Sequence, residues 1–554
     1  MSSELESNLD RETKSPLSKK VILQTFYWKA IQLLTGINLL ISLFYLSFRN
    51  TSPIWNVFGV MFLVMIVMSI LGVLKQRKLS ITSTLHLLLL PFTLILIGLL
   101  NFQLSNQYPG ETSSLPIVIP CLFLLVHIGT LIFAWRMDKE RKGRVNGIPR
   151  WFSELLLWGN VVVLLVGLFT SSMILFRYEN GGYGPYVNQL ALFYAFVFLA
   201  STVLVLQGSK AWIRPHPTLR RILMIGGFSI AFIHFLPLFS VPIIINQAEE
   251  QVEEAFSQWD SSAFHSSEFQ QTPFSLPAYF LGIPPADVEG EKDMLFYEGT
   301  EGVDDGIELR FDSFFPKEKE GKLPVLIRIH GGSWANGDKG DANVMQQNTY
   351  FANQGYAVFD IQYGLTTLSS YGLSSNVPDK VRGPFSIDDQ VRHIGLFTQY
   401  LAEHAEEYGL DLSTTFISGG SAGGHLATAS ALAMTEGKDS DWFSDELKIK
   451  GLIPYYPANK GPALGGIPGS EDLLWPEQLV SEESPPALLF HGTHDTYVGY
   501  ETAASFKETY AEHDNNKAAV IYMPFGNHGS DFYFSGYYNQ TFTYYMERFM
   551  ALYR

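Results

Sequence analysis

Three polar side chains in the second half of the chain have the types and the order needed for nucleophilic acyl transfer. Ser421 lies in Gly419-Gly420-Ser421-Ala422-Gly423-Gly424, after the apolar run Phe416-Ile417 and before the helical run His425-Leu426-Ala427-Thr428-Ala429. A G-x-S-x-G box at a strand-to-helix turn holds a serine on a sharp bend with its hydroxyl exposed. Glycines flank the serine because a Cβ would clash in so tight a turn. Asp495 follows in the polar turn after the strand-like Ala487–Phe490, and His528 comes later still, in Gly526-Asn527-His528-Gly529. In that order an imidazole can take the serine proton, while a buried carboxylate fixes its tautomer and stabilises the imidazolium.

A fourth segment supplies what such chemistry also needs. The apolar run Leu323–Ile329 leads into His330-Gly331-Gly332-Ser333-Trp334 and then Gly337-Asp338-Lys339. Glycines let backbone N–H groups approach a developing oxyanion, and each donor contributes about 2.7–4 kcal/mol to the transition state. Other titratable residues fit less well. His404 and His425 fall on helices, where they point to packing or solvent. His330 shapes its own loop, and His491 and His494 flank the acid's turn as structural groups. Asp531 is too close to His528 in sequence to orient it as well as Asp495 does.

The elements that must position these residues alternate. Leu323–Ile329, Ala357–Tyr363, Thr414–Ser418, Leu452–Tyr456, Ala487–Phe490 and Ala518–Met523 read as strands, and 387–408 has helical period ending at Gly409. Strands alternating with helices predict an α/β domain over 290–554 with a mainly parallel sheet. Two long connections without clear period, Gly364–Phe385 and Gly461–Leu479, lie where such sheets carry ligands. They are candidates for a lid or pocket wall, with Tyr371, Leu373 and Trp475 as apolar surface.

Together, H-G-G-S-W with G-D-K, G-G-S-A-G-G-H-L-A, H-G-T-H-D-x-x-V and the late histidine resemble the α/β-hydrolase carboxylesterases close to hormone-sensitive lipase and the bacterial acetyl- and feruloyl-esterase-like group. Asp388-Asp389, ahead of the helix before the serine, fits the same group. The resemblance covers roughly 290–554. It implies ester hydrolysis through an acyl-enzyme, with oxyanion donors from the backbones of Gly331, Gly332 and Ala422 and with no cofactor or metal. Two departures stand out: the first glycine loop reads Gly-Gly-Ser where many members have three glycines, and ordinary soluble members have no counterpart of the first half of this chain.

That first half (1–246) reads as an all-α transmembrane bundle. Seven apolar stretches, near 30–48, 54–74, 81–100, 115–135, 152–176, 187–207 and 222–245, are long enough to cross a hydrocarbon core of about 30 Å. Lys and Arg cluster in alternate connections: five in the N-terminal tail, then one, three, none, six, one and four, and none after the seventh stretch until Lys292. By the positive-inside rule the N-terminus is cytoplasmic and the second half extracytoplasmic, at the plasma membrane. Six spans and one re-entrant stretch would reverse the second half, and the charge alternation argues against that. Residues 247–289 read as an acidic amphipathic helix (Val252, Ala255, Phe256 and Trp259 on one side) and a linker rich in Ser, Pro and Gly.

Charge limits the partners. Of 38 Lys and Arg, 20 precede residue 247, whereas most of the 54 Asp and Glu follow it. So acidic an outer half would repel phosphates, which excludes a nucleic-acid binder. Cys121, the one cysteine, falls in the fourth stretch, so no disulfide is expected. His86, His127 and His234 lie within spans, where bonding to a neighbouring helix suffices to explain them. The expected substrate is a small-molecule, lipid or envelope-associated ester with a short acyl group. The alternatives are a transporter or sensor with a ligand-binding hydrolase-like domain, or a serine peptidase on the same fold.

Overall fold

The computed structural model describes residues 16–76, 78–108, 113–140, 147–178, 183–210, 216–259, 269–318, 321–340, 344–371 and 377–554. The first half forms helices α1 (Pro16–Phe48), α2 (Trp55–Gly72), α3 (Ile81–Ser105), α4 (Leu115–Glu140), α5 (Arg150–Leu175), α6 (Gly184–Gln189), α7 (Ala191–Gly208), α8 (Pro217–Ile233), α9 (Leu236–Phe239) and α10 (Val241–Ala255). Six of them are long and apolar enough to cross a membrane, and α8 with α9–α10 makes a seventh span if the 51° bend between them is part of one crossing. Pro237 and Pro242 each sit in the first turn of a new helical piece. Proline is accommodated there because its missing N–H would be unpaired anyway. Pro91 and Pro120 instead lie inside α3 and α4.

Burial differs along the bundle for a physical reason. On α5, Leu155, Val162, Leu165 and Phe169 are exposed, an apolar surface of the kind a hydrocarbon environment would accommodate. By contrast, α7 is buried along most of its length, packed between α3, α5 and α8. The three histidines of the apolar helices bond to neighbouring helices: His86 Nε2 to Ser69 Oγ at 2.9 Å, His127 Nε2 to Ser42 Oγ at 3.3 Å and His234 Nε2 to Thr170 Oγ1 at 2.9 Å.

The sixth apolar stretch differs from its expected form. The chain turns at Leu190, so Asn188 and Gln189 belong to the short α6 rather than to the span. Downstream, α10 runs without a break from the apolar Val241 to the acidic residues expected to form a separate helix. Its Val252, Ala255 and the following Phe256 are buried, with Phe256 against Phe549 at 5.0 Å. The segment read as linker holds a buried helix, α11 (Leu276–Leu281), at the seam between the halves. Asn56 fastens its start, donating to Phe274 O at 2.8 Å and accepting from Leu276 N at 2.6 Å.

The C-terminal half is an eight-stranded, mainly parallel sheet with helices on both faces, an α/β-hydrolase fold. Its strands are β1 (Val288–Glu298), β2 (Glu308–Pro316), β3 (Leu323–Ile329), β4 (Ala357–Ile361), β7 (Leu410–Gly420), β8 (Ile449–Tyr455), β9 (Ala487–Gly492) and β10 (Ala518–Met523), in the order β1-β2-β4-β3-β7-β8-β9-β10. Only β1–β2 and β2–β4 pair antiparallel among them. The short β5 (Leu365–Thr366) and β6 (Arg382–Gly383) pair separately. The helices are α12 (Met345–Asn353), α13 (Ile387–Glu403), α14 (Ala405–Tyr408), α15 (Ala422–Glu436), α16 (Gly461–Leu464), α17 (Glu471–Leu474), α18 (Glu501–Glu512) and α19 (Tyr537–Tyr553). β10 would be an open edge, but Gln247 of α10 covers it, donating to Val520 O at 2.8 Å and accepting from Tyr522 N at 3.1 Å. An exposed edge invites pairing with another chain, and this contact removes that route.

Candidate active site

The sharp turn from β7 to α15 carries Ser421, whose φ of 56° is unusual for a side chain other than glycine. The glycines two residues to either side of it are sterically required. A Cβ on Gly419 would lie 2.4 Å from Gly423 O, and one on Gly423 would lie 2.2 Å from Ile329 O. The bend is pinned on both sides: Ser421 N donates to Tyr455 O at 3.0 Å, and Ala458 N donates to Ser421 O at 3.1 Å.

His528 and Asp495 approach from the loops after β10 and β9. His528 Nε2 lies 2.9 Å from Ser421 Oγ, and its Nδ1 lies 2.8 Å from Asp495 Oδ2. Asp495 is fully buried, and its Oδ1 accepts the N–H groups of Tyr497 at 3.0 Å and Val498 at 2.8 Å. Burial by itself would push this carboxyl up. The charge and hydrogen bond of His528, with His491 nearby at 3.6 Å, hold it well below the usual carboxylate range. The structure thus brings together the three residues whose order suggested a relay. An ionised Asp495 fixes the tautomer that leaves Nε2 free to accept the serine proton.

The loop after β3 faces the same point. Gly332 has φ 124°, and Ser333 and Trp334 have φ 54° and 62°. A Cβ on Gly332 would lie 2.0 Å from Asn336 O, so only glycine fits. Gly331 and Gly332 line one cavity with Ser421, and Ala422 is the first residue of α15. The first N–H groups of a helix have no intrahelical partner, which leaves that of Ala422 available beside the serine.

The remaining candidates have other partners. His330 Nδ1 donates to Gly331 O at 2.8 Å, and its ring stacks on Tyr363. His404 stays with Tyr400. His491 Nε2 donates to Val498 O at 3.0 Å, and His494 Nδ1 lies 3.1 Å from Thr493 Oγ1. His425 is buried beside the site, accepting from Trp334 Nε1 at 3.2 Å and donating to Leu473 O at 2.9 Å. Asp531 does not orient His528; it accepts the Tyr456 hydroxyl at 2.6 Å, and burial raises its carboxyl. Lys339 of the G-D-K run is an anchor, bonded to Asp293 at 2.5 Å. Ser386 caps α13, its Oγ accepting from Asp389 N at 3.1 Å, and Asp388 receives Ser470 N at 2.7 Å.

Ser421 and His528 open on a cavity of about 600 Å³. Of the residues expected on its wall, Tyr371 lines it, Trp475 does not, and Leu373 lies outside the described residues. Gly461 and Leu464 come from the second long connection. Sequence reasoning passed over Tyr456, which lines the cavity with its ring 4.5 Å from that of His528, and Tyr497, Lys460 and Phe532. Their one sequence signal is position, just past the carboxyl ends of strands or beside the acid and base. Among the described residues no cluster of side chains could hold a metal ion.

Residues 311–459 match the BD-FAE family model. The probable carboxylic ester hydrolase LipM of Mycobacterium tuberculosis is 24% identical over 235 residues, which are 38% of this chain and 50% of that one. The probable isoprenylcysteine alpha-carbonyl methylesterase ICMEL1 of Arabidopsis thaliana is 24% identical over 241 residues, 38% of this chain and 47% of that one. The chain therefore spans about half the length of these relatives. Among solved structures, Thermogutta terrifontis esterase 2 is 20% identical with a TM-score of 0.36, over 47% of this chain and 90% of that one. Esterase B from Lactobacillus rhamnosis is 19% identical with a TM-score of 0.39, over 57% and 95%.

Proposed function

We propose that the chain is a membrane-anchored serine esterase that hydrolyses carboxylic esters at the outer face of the membrane. The observation that carries this reading is the unbroken relay Ser421–His528–Asp495, at 2.9 and 2.8 Å, opening on a cavity. A domain that only bound ligands would have no use for it. Relatives named as ester hydrolases support the reaction class.

In this reading Ser421 Oγ attacks the ester carbonyl as His528 Nε2 takes its proton. The N–H groups of Gly331, Gly332 and Ala422 receive the oxyanion. Collapse of the tetrahedral adduct expels the alcohol, which leaves with the proton from His528. Water, deprotonated by His528, then attacks the acyl-Ser421 ester, and the carboxylic acid departs as Ser421 recovers its proton.

The cavity favours an apolar partner. Among the described residues after Ile243, the large apolar side chains left exposed are Leu295, Val303, Leu368, Tyr371, Leu464 and Tyr497, and the last three line the cavity. Glycines and small turns in the same wall favour a short acyl group. Turnover of p-nitrophenyl esters by membranes carrying the protein tests this. Rates should fall from acetyl to decanoyl and vanish in Ser421→Ala; faster decanoyl turnover would mean a lipase-like pocket. For orientation, alkaline phosphatase fused after Asn246 should be active and after Arg144 inactive, and the reverse would place the catalytic half in the cytoplasm.

A further inference from the structure

The membrane half ends at the seam in two buried amide side chains that the reaction above does not use. Asn188 and Gln189, the last residues of α6, are almost wholly buried. Asn188 Nδ2 donates to Phe525 O and to Asn527 Oδ1. Gln189 Nε2 donates to Gly529 O at 3.1 Å, and its Oε1 accepts from Tyr533 N at 2.6 Å. These two neighbouring amides therefore hold the residues on either side of His528. Asn527 passes the contact on, donating to His494 O at 3.1 Å, one residue before Asp495. Two residues past the end of α5, Arg177 reaches Asp495 O with Nε at 3.2 Å and pairs with Glu501 at 2.7 and 3.1 Å.

The base loop needs such support. Phe525 has φ 65° and Gly529 φ 75°, so both ends of the His528 segment sit in the left-handed region. A residue other than glycine stays there only where its surroundings over-determine it. Here those surroundings include side chains more than three hundred residues away, on the membrane half. The amides are themselves fixed, because the main-chain oxygens of Asn188 and Gln189 accept the hydroxyls of Tyr537 and, at 2.7 Å, Tyr279.

We propose that α6 of the membrane half is the support of the catalytic base, with Asn188 and Gln189 as positioning residues for His528 and Arg177 as a lesser brace on the Asp495 turn. This rests on reading His528 as the base. The membrane half then does more than anchor the hydrolase: it completes the geometry of its active site. Displacing a catalytic group by about 1 Å can cost about 10²-fold in rate.

The test uses the full-length protein in lipid nanodiscs. Asn188→Asp and Gln189→Glu keep shape but turn an N–H donor toward a carbonyl into a second acceptor. Asn56→Ala is the matched control: it removes a comparable seam amide that touches α11 and not the base loop. The proposal expects kcat to fall about 10²-fold in the first two variants with KM within about twofold, and phosphonate labelling of Ser421 to slow in parallel. Asn56→Ala should keep wild-type kcat even if its melting temperature drops. Equal kcat in all three variants, or a fall in step with Asn56→Ala, would overturn the proposal. If the α6 variants do not fold, Arg177→Ala decides: a several-fold lower kcat at unchanged KM supports it, and an unchanged kcat overturns it. Absence of labelling in the wild type would instead sink the esterase reading.

Discussion

The loop that holds Ser421 and the loop that holds His528 meet within hydrogen-bond distance, yet they are secured by different parts of the chain. The serine turn is self-contained: its steric and backbone hydrogen-bonded neighbours, Ile329, His330, Tyr455 and Ala458 among them, all lie in the C-terminal half. The histidine loop is held by Asn188 and Gln189 of the N-terminal helical half. A nucleophile that must occupy one strained conformation is specified by local glycines. In the proposed reading His528 is a base aimed from a distance, so that the seam between the two halves bears on catalysis.

The largest effects should come from the residues that react. Ser421→Ala and His528→Ala should each lower ester turnover by about 10⁴-fold or more, measured as kcat on p-nitrophenyl acetate. If His494→Ala is inactive and His528→Ala is not, the base is misassigned. Next comes the self-contained side of the comparison. In Gly423→Ala the new methyl would meet Ile329 O at 2.2 Å and His330 O at 2.6 Å, both backbone atoms that cannot swing away. The expected cost is about 3 kcal/mol, read as a lower melting temperature together with lost phosphonate labelling. An unaffected melting temperature would show that the turn has slack the geometry denies.

The α6 variants should fall between these extremes in rate while sparing KM, and they separate the supported loop from the self-contained one. The smallest effect concerns pH. The folded Asp495 carboxyl is held below its unfolded value of about 3.9. Its stabilisation is therefore fully present above that value and is lost as pH falls through the folded pKa. Asp495→Asn removes this term, so melting temperature should decline less steeply in the variant than in the wild type between about pH 5 and 2. Parallel declines would show that Asp495 gains nothing from its histidine partners.

The same contrast explains what the sequence made legible. The serine turn was readable because its requirements are contiguous: glycines at fixed offsets between an apolar strand and a helix. The strands Leu323–Ile329 and Ala518–Met523 were readable to the residue because they are apolar runs, the first interrupted only by Arg328, that are buried along almost all of their length. β1 was missed because it is an edge strand whose exposed Glu289, Glu291 and Lys292 hide any apolar alternation. The helix α11 was missed because Pro277 and its Ser- and Pro-rich approach read as linker, whereas its burial comes from packing on residues of both halves: Tyr279 stacks on Phe193 and Tyr537. Asn188 and Gln189 looked like ordinary polar residues at the edge of a span, since their partners lie at 525–533. The role of Trp475 was overread from composition, because an aromatic in a long loop carries no information about which way it faces.

The claim on which the rest depends is that Ser421 is a nucleophile activated through His528. Membranes carrying the full-length protein can be treated with a fluorophosphonate at neutral pH, digested, and the adduct located by mass spectrometry. The account predicts the phosphonyl group on Ser421, formed rapidly in the wild type and largely lost in His528→Ala. An adduct on a different serine, or labelling of Ser421→Ala at the wild-type rate, would contradict it.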